Sequence, residues 1–121
     1  MSVFLAIPED RVLYRDPLFF IVRDQYPVSP GHSLIISAAV RADYFSLTAE
    51  EQAQLPRLLV HCKELIEREF TPEGYNIGMN CGTVAGQTVP HFHCHLIPRY
   101  AGDMDNPRGG IRHCVAGKGY Y

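Results

Sequence analysis

Between residues 91 and 97 the chain reads His-Phe-His-Cys-His-Leu-Ile, an alternation of imidazole and apolar side chains that ends in two apolar residues. A period of two belongs to a β-strand, on which residues i, i+2 and i+4 point to one face. The pattern predicts a strand over Val89–Ile97, with His91, His93 and His95 in a row about 6.5 Å apart and Phe92, Cys94 and Leu96 facing a core. Half of the six histidines fall on that one face, which packing alone does not explain. At 121 residues the chain is one domain, residues 1–121, large enough to bury a core without disulfide staples.

The other elements follow from local signals. Arg11–Tyr14 reads as a strand, the Asp16-Pro17 turn precedes a second over Leu18–Val22, and Pro27, Pro30 and Gly31 make a loop. His32–Ser37 is a third strand, and its consecutive Leu34, Ile35 and Ile36 suit burial on both faces. Asp43–Leu47 reads as one helical turn. Thr48-Ala49-Glu50-Glu51 is a capping box, and Leu55, Leu58, Leu59, Cys62, Leu65 and Ile66 keep helical spacing to about Phe70. Pro56 interrupts that helix where a proline costs ~3 kcal/mol, so a kink or break is expected. Tyr75–Asn80 is a strand and Cys81–Gln87 a loop. From residue 99 to 121 the glycine-rich sequence predicts a largely irregular extension. Helical pieces with strands joined by short turns indicate an α+β fold with an antiparallel sheet.

Composition narrows the function classes. A net charge of −2 argues against gripping nucleic-acid backbone, which wants a basic excess. No apolar run approaches the ~18 residues of a membrane span, and Val3–Ile7 is too short for a signal sequence. Cys62, Cys81, Cys94 and Cys114 lie far apart with no C-x-x-C pair, as in reduced thiols rather than disulfides or a thiolate metal site. The expectation is a soluble cytoplasmic domain with neither nucleic-acid nor membrane partners.

Two chemistries compete for the histidines. They could form the three-histidine zinc site of a metal-dependent hydrolase, or one could be a nucleophile with phosphate donors around it. The preceding Gly82-Thr83-Val84-Ala85-Gly86-Gln87-Thr88 favours the second. Small residues let backbone N–H groups approach an anion, and Gln87 and Thr88 add side-chain donors. A zinc site would bring a carboxylate or thiolate into this stretch, and only Cys94 is there, directed at the core.

Asn80, the run Ala85-Gly86-Gln87-Thr88-Val89, and His91-x-His93-x-His95-Leu96-Ile97 together resemble the signature of the histidine-triad superfamily of nucleotide hydrolases and transferases. Pro30-Gly31-His32 with the apolar strand behind it matches a second segment of that family, and the resemblance covers roughly Val12 to Arg99. It implies a five-stranded antiparallel sheet with two helices, and a homodimer. By the resemblance His93 is the nucleophile that attacks an α-phosphorus and forms a nucleotidyl-histidine. His95 donates to the phosphoryl oxygens or leaving group, and His91 and His32 orient the site. Asn80, Gln87 and Thr88 hold the phosphate. Asp24 lies where relatives bind ribose hydroxyls, with a solvated loop acid as the alternative. Cys81 stands where relatives often carry an acid.

The implied substrates are dinucleoside polyphosphates or nucleoside phosphoramidates. No cofactor is required at the site, and magnesium acts only with the substrate. His95, where transferase branches have glutamine, favours water as the final acceptor. The segment from Arg99 resembles an extension of some bacterial dinucleoside polyphosphate hydrolases, in which Arg99, Arg108, Arg112 and Lys118 either meet distal phosphates or are ordinary solvated cations. Phe20 and Val22 are weak candidates for an adenine pocket. A third reading is a nucleotide-binding or interaction protein with vestigial catalysis.

Overall fold

A computed structural model describes residues 2–121. Five strands form one antiparallel sheet: β1 (Val12–Arg15), β2 (Phe19–Arg23), β3 (Ser33–Ser37), β4 (Gly74–Gly78) and β5 (His93–Arg99), in the order β1-β2-β3-β5-β4. Every residue of β3 is buried, because the sheet is covered on both faces. Phe19, Ile21, Ile35, Cys94 and Leu96 pack beneath the single long helix. Phe20, Val22, Leu34 and Ile36 pack with Phe4 and Ile7 of the N-terminal segment and with Val12 of β1.

That helix, α1, runs from Ala49 to Glu67. The capping box forms as read: Thr48 Oγ1 accepts the Glu51 N–H at 3.1 Å and Glu51 Oε1 accepts the Thr48 N–H at 2.6 Å. Glu51 is buried, and Arg41 Nε donates to both its oxygens at 3.0 and 3.2 Å, which offsets the cost of a buried carboxylate. The expected break at Pro56 is absent, and the helix continues through it. Burial of Leu55, Leu58 and Ile66 under the sheet contributes ~1.5–3 kcal/mol per side chain. Together these outweigh the ~3 kcal/mol proline penalty.

Two further expectations are corrected. Among the described residues there is one α-helix, not two; the second helical piece is a 3-10 turn over Tyr44–Ser46, one of five such turns. The histidine strand begins at His93 rather than Val89. Pro90 brings no N–H to a ladder, and the two N–H groups after it bond elsewhere, His91 to Val89 O at 2.8 Å and Phe92 to Arg41 O at 2.6 Å. Beyond Arg99 the only regular element among the described residues is a 3-10 turn over Gly110–Cys114. No helix among them is long and apolar enough to cross a membrane.

Candidate active site

The site is assembled on the sheet face opposite α1. Alternation along β5 turns Cys94 and Leu96 into the core under α1 and leaves His93 and His95 on the other face, their ring centroids 5.2 Å apart. They line a cavity of about 560 Å³ together with Asp24, Asn80, Thr88 and Gly86, and with Phe4, Ile7, Val22 and Leu34. The lining thus combines polar and apolar side chains.

His91 does not line it. Its ring is fully buried, with Nδ1 2.7 Å from Ser2 Oγ and Nε2 2.6 Å from the Ser37 carbonyl. Because a carbonyl only accepts, His91 Nε2 carries the proton and Nδ1 takes the Ser2 hydroxyl hydrogen. The backbone of His91 does more for the site than its side chain: its carbonyl accepts from His93 Nδ1 at 2.8 Å. That bond places the His93 proton on Nδ1 and leaves Nε2 with a free lone pair. Phe4 packs edge-on against both rings, at 4.9 Å from His93 and 5.5 Å from His91.

A second hydrogen-bonded chain fixes His95. The Val28 N–H donates to His32 Nδ1 at 3.0 Å, so the neutral His32 ring holds its proton on Nε2. That nitrogen is 2.9 Å from His95 Nδ1, which therefore accepts, and His95 carries its own proton on Nε2. Asp24 Oδ2 lies 3.4 Å from His32 Nε2 and 3.9 Å from His95 Nδ1, while Asp24 Oδ1 closes a turn on the Tyr26 N–H at 2.8 Å. Burial, then the neighbouring His93 and His32 rings, push His95 down to about 4, with Asp24 pulling the other way. Burial likewise lowers His32 against the Asp24 charge. His95 is accordingly neutral at pH 7, with its one proton on Nε2.

The residues expected to hold a phosphate divide. Asn80 and Thr88 reach the cavity. Gln87 does not: its Nε2 donates to Ala42 O at 2.6 Å and Val89 O at 3.1 Å, and its Oε1 accepts the Gly82 N–H at 2.8 Å. Both amide protons are spent bracing the 82–89 loop, so Gln87 offers the cavity no free donor. Gly82 and Gly86 hold that loop at φ +95° and +97°, values that strain any residue with a Cβ. Val22 lines the cavity, whereas Phe20 is confined to the packing beneath the N-terminal segment. Sequence reasoning misses the apolar wall from Phe4 and Ile7, since residues 2–10 carry no periodic signal. It misses Ser2 for the same reason.

Two histidine sets bear on metal binding. His91, His93 and His95 cannot converge on one ion in this arrangement, because three of their ring nitrogens are engaged by Ser2, Ser37 and the His91 carbonyl. Asp24, His32 and His95 bring one ligand atom each to within 4.8 Å of one another. There His32 would have to bind through Nε2, the nitrogen that holds its proton while Nδ1 accepts from Val28. The donor set fits a hydrogen-bonded relay better than an ion.

None of the tail cations lines this cavity. Arg99 is committed to Asp103 at 2.8 Å and to Asn76 Oδ1 at 2.7 Å.

Residues 7–102 match the HIT domain family. A bis(5'-nucleosyl)-tetraphosphatase (asymmetrical) of Schizosaccharomyces pombe is 37% identical over 94 residues, 78% of this chain and 52% of the relative. An AP-4-A phosphorylase of Mycobacterium tuberculosis is 33% identical over 102 residues, 84% of this chain and again 52% of the relative. The chain thus spans about half the length of both. A crystal structure of a HIT family protein from Bacillus anthracis superposes with a TM-score of 0.71 at 38% identity, covering 76% of this chain and 65% of that one.

Proposed function

The chain belongs to the HIT domain family, and from that premise we propose that it is a nucleotide hydrolase working through a nucleotidyl-histidine at His93. One observation carries the reading: the His93 Nδ1–H to His91 carbonyl bond, 2.8 Å, leaves Nε2 as an unprotonated nucleophile on a cavity wall, beside a proton-bearing nitrogen of His95. Relatives named as a tetraphosphatase and a phosphorylase of dinucleoside polyphosphates support a phosphoric anhydride substrate.

In the first step His93 Nε2 attacks the α-phosphorus. A phosphorus–nitrogen bond forms, the bridging phosphorus–oxygen bond breaks, and its electron pair leaves with the remaining phosphate chain. His95 Nε2–H, Thr88 and Asn80 donate to the phosphoryl oxygens as charge moves onto them. His32, by donating from Nε2 to His95 Nδ1, keeps the His95 proton on Nε2. In the second step water attacks the same phosphorus, the pair returns to His93, and a nucleoside monophosphate and a proton are released. Asp24 also lines the cavity, and its carboxylate would accept ribose O–H bonds. The base would lie against Phe4, Ile7, Val22 and Leu34. Gln87 acts on this scheme indirectly, by holding the loop that presents Thr88. We propose further that the protein works as a homodimer.

Rapid mixing with diadenosine tetraphosphate or adenosine phosphoramidate, quenched with alkali and kept alkaline through digestion and mass spectrometry, tests the scheme. The expected result is one adenylyl adduct, labile to acid, on the peptide containing His93. Hydrolysis with no adduct at any time would favour direct attack by water. Chelator dialysis should leave activity intact; loss restored by zinc alone would favour the metal-dependent alternative.

A further inference from the structure

The site above accounts for one nucleotide, whereas a dinucleoside polyphosphate carries a second nucleoside beyond its phosphates. The C-terminal segment holds an arrangement that core packing does not require. The guanidinium carbons of Arg108 and Arg112 lie 4.7 and 4.8 Å from the centroid of one ring, that of Tyr121. Arg112 is pinned by its donations to Gly119 O at 3.2 Å and Lys118 O at 3.1 Å. Arg108 forms hydrogen bonds only through its backbone, to Asn106 and from His113, so its guanidinium donors are uncommitted among the described residues. Tyr121 is 71% exposed, and its hydroxyl has no partner there. Tyr120, by contrast, is anchored edge-on to His113 and through its hydroxyl to Asn106 O.

The segment is shaped rather than loose. A Cβ on Gly109, which sits at φ +95°, would overlap the Gly119 carbonyl, and one on Gly119 would overlap the His113 imidazole. It also lies on the sheet face of the histidines. Gly78 of β4 pairs with His95, and directly paired residues share a face. Ile111 rests over Gly78, its Cδ1 3.9 Å from where a Cβ would stand. Arg112 therefore follows directly on a side chain that rests over Gly78, the cross-strand partner of His95.

We propose that Arg108 and Arg112 form a stacking subsite for the second nucleobase of a dinucleoside polyphosphate, filled in the free protein by the Tyr121 ring. The inference rests on the hydrolase reading for its choice of ligand. Guanidinium planes stack on any aromatic face, so the subsite needs no base-specific hydrogen bond. An exposed ring with an unbonded hydroxyl gives up only its two guanidinium contacts when displaced.

Calorimetric titration with uncleavable methylene-bridged analogues of diadenosine tetraphosphate and adenosine tetraphosphate, with AMP as control, tests this. Arg108→Gln removes no hydrogen bond and should weaken binding of the dinucleotide about three- to tenfold, the range of a cation–π contact of roughly 0.7–1.4 kcal/mol. Binding of the other two ligands should stay within about twofold. Tyr121→Ala should tighten the dinucleotide and leave AMP unchanged. Equal weakening on both tetraphosphates would mean that Arg108 reads phosphate charge, and would overturn the proposal. So would an unchanged Arg108→Gln, or weaker dinucleotide binding in Tyr121→Ala. A wild type that shows this binding pattern but never turns over the cleavable dinucleotide would defeat the hydrolase reading and leave the subsite standing.

Discussion

At the scale of single residues, the site depends on which nitrogen of each ring holds a proton. His93→Ala removes the only ring nitrogen on the cavity that is both unprotonated and unpartnered, and turnover should fall at least ~10³-fold with folding little changed. More than about a tenth of wild-type activity in a contaminant-free assay would exclude the covalent route. His95 makes a second prediction, on stability. Its pKa is about 4 in the folded protein against about 6.5 in an unfolded chain, so below pH 6.5 the unfolded state binds the extra proton. Stability therefore rises with pH across this window: it is fully present above about 6.5 and is lost as pH falls toward 4. The lowered His32 acts in the same direction. Urea midpoints measured from pH 7 to 4.5 should fall less steeply in His95→Gln, which cannot titrate. Parallel slopes would mean that His95 is not held neutral.

At the scale of elements, the cavity face is shaped by loops as well as by strands. His32 is placed by the turn before β3, where Gly31 sits at φ +88° with Phe70 Cδ2 only 2.9 Å and Ile66 Cγ2 3.2 Å from any added Cβ. Gly31→Ala should cost at least ~1–2 kcal/mol, seen as a lower urea midpoint with an unchanged slope. An unaltered midpoint would show that the turn can relax. The loop over residues 82–89 is different, since its glycines face open space and its shape depends on Gln87. Gln87→Ala should lower kcat while leaving stability within about 0.5 kcal/mol. A fall in stability without a fall in kcat would assign Gln87 to the fold alone.

At the scale of the molecule, one sheet separates two surroundings: α1 packs on one face and the histidine-lined cavity opens on the other. Both sheet edges carry an exposed apolar side chain, Leu13 of β1 at 41% and Ile77 of β4 at 48%, and α1 exposes Val60 at 60%. An unpaired edge next to such surface invites a second copy. The proposed homodimer is expected to pair through β4 and α1, so Val60→Glu with Ile77→Lys should yield a folded monomer in sedimentation. A wild type that sediments as a monomer at micromolar concentration would remove the proposal. A double variant that stays dimeric would move the interface elsewhere.

Local chemistry was enough to read the α+β class, the capping box at Thr48 and Glu51, the two-sided burial of Leu34–Ile36, and the placing of His93 and His95 opposite Cys94 and Leu96. Each depends on periods or caps that act over a few residues. The start of β5, the uninterrupted helix through Pro56 and the burial of His91 were decided only by partners distant in sequence: Arg41 taking the Phe92 N–H, the sheet beneath α1, and Ser2 with Ser37 closing on the imidazole. The same holds for the proton positions. Val28 and the His91 carbonyl set the tautomers of His32 and His93, and a ring's tautomer follows from which donor or acceptor the fold brings within about 3 Å of it.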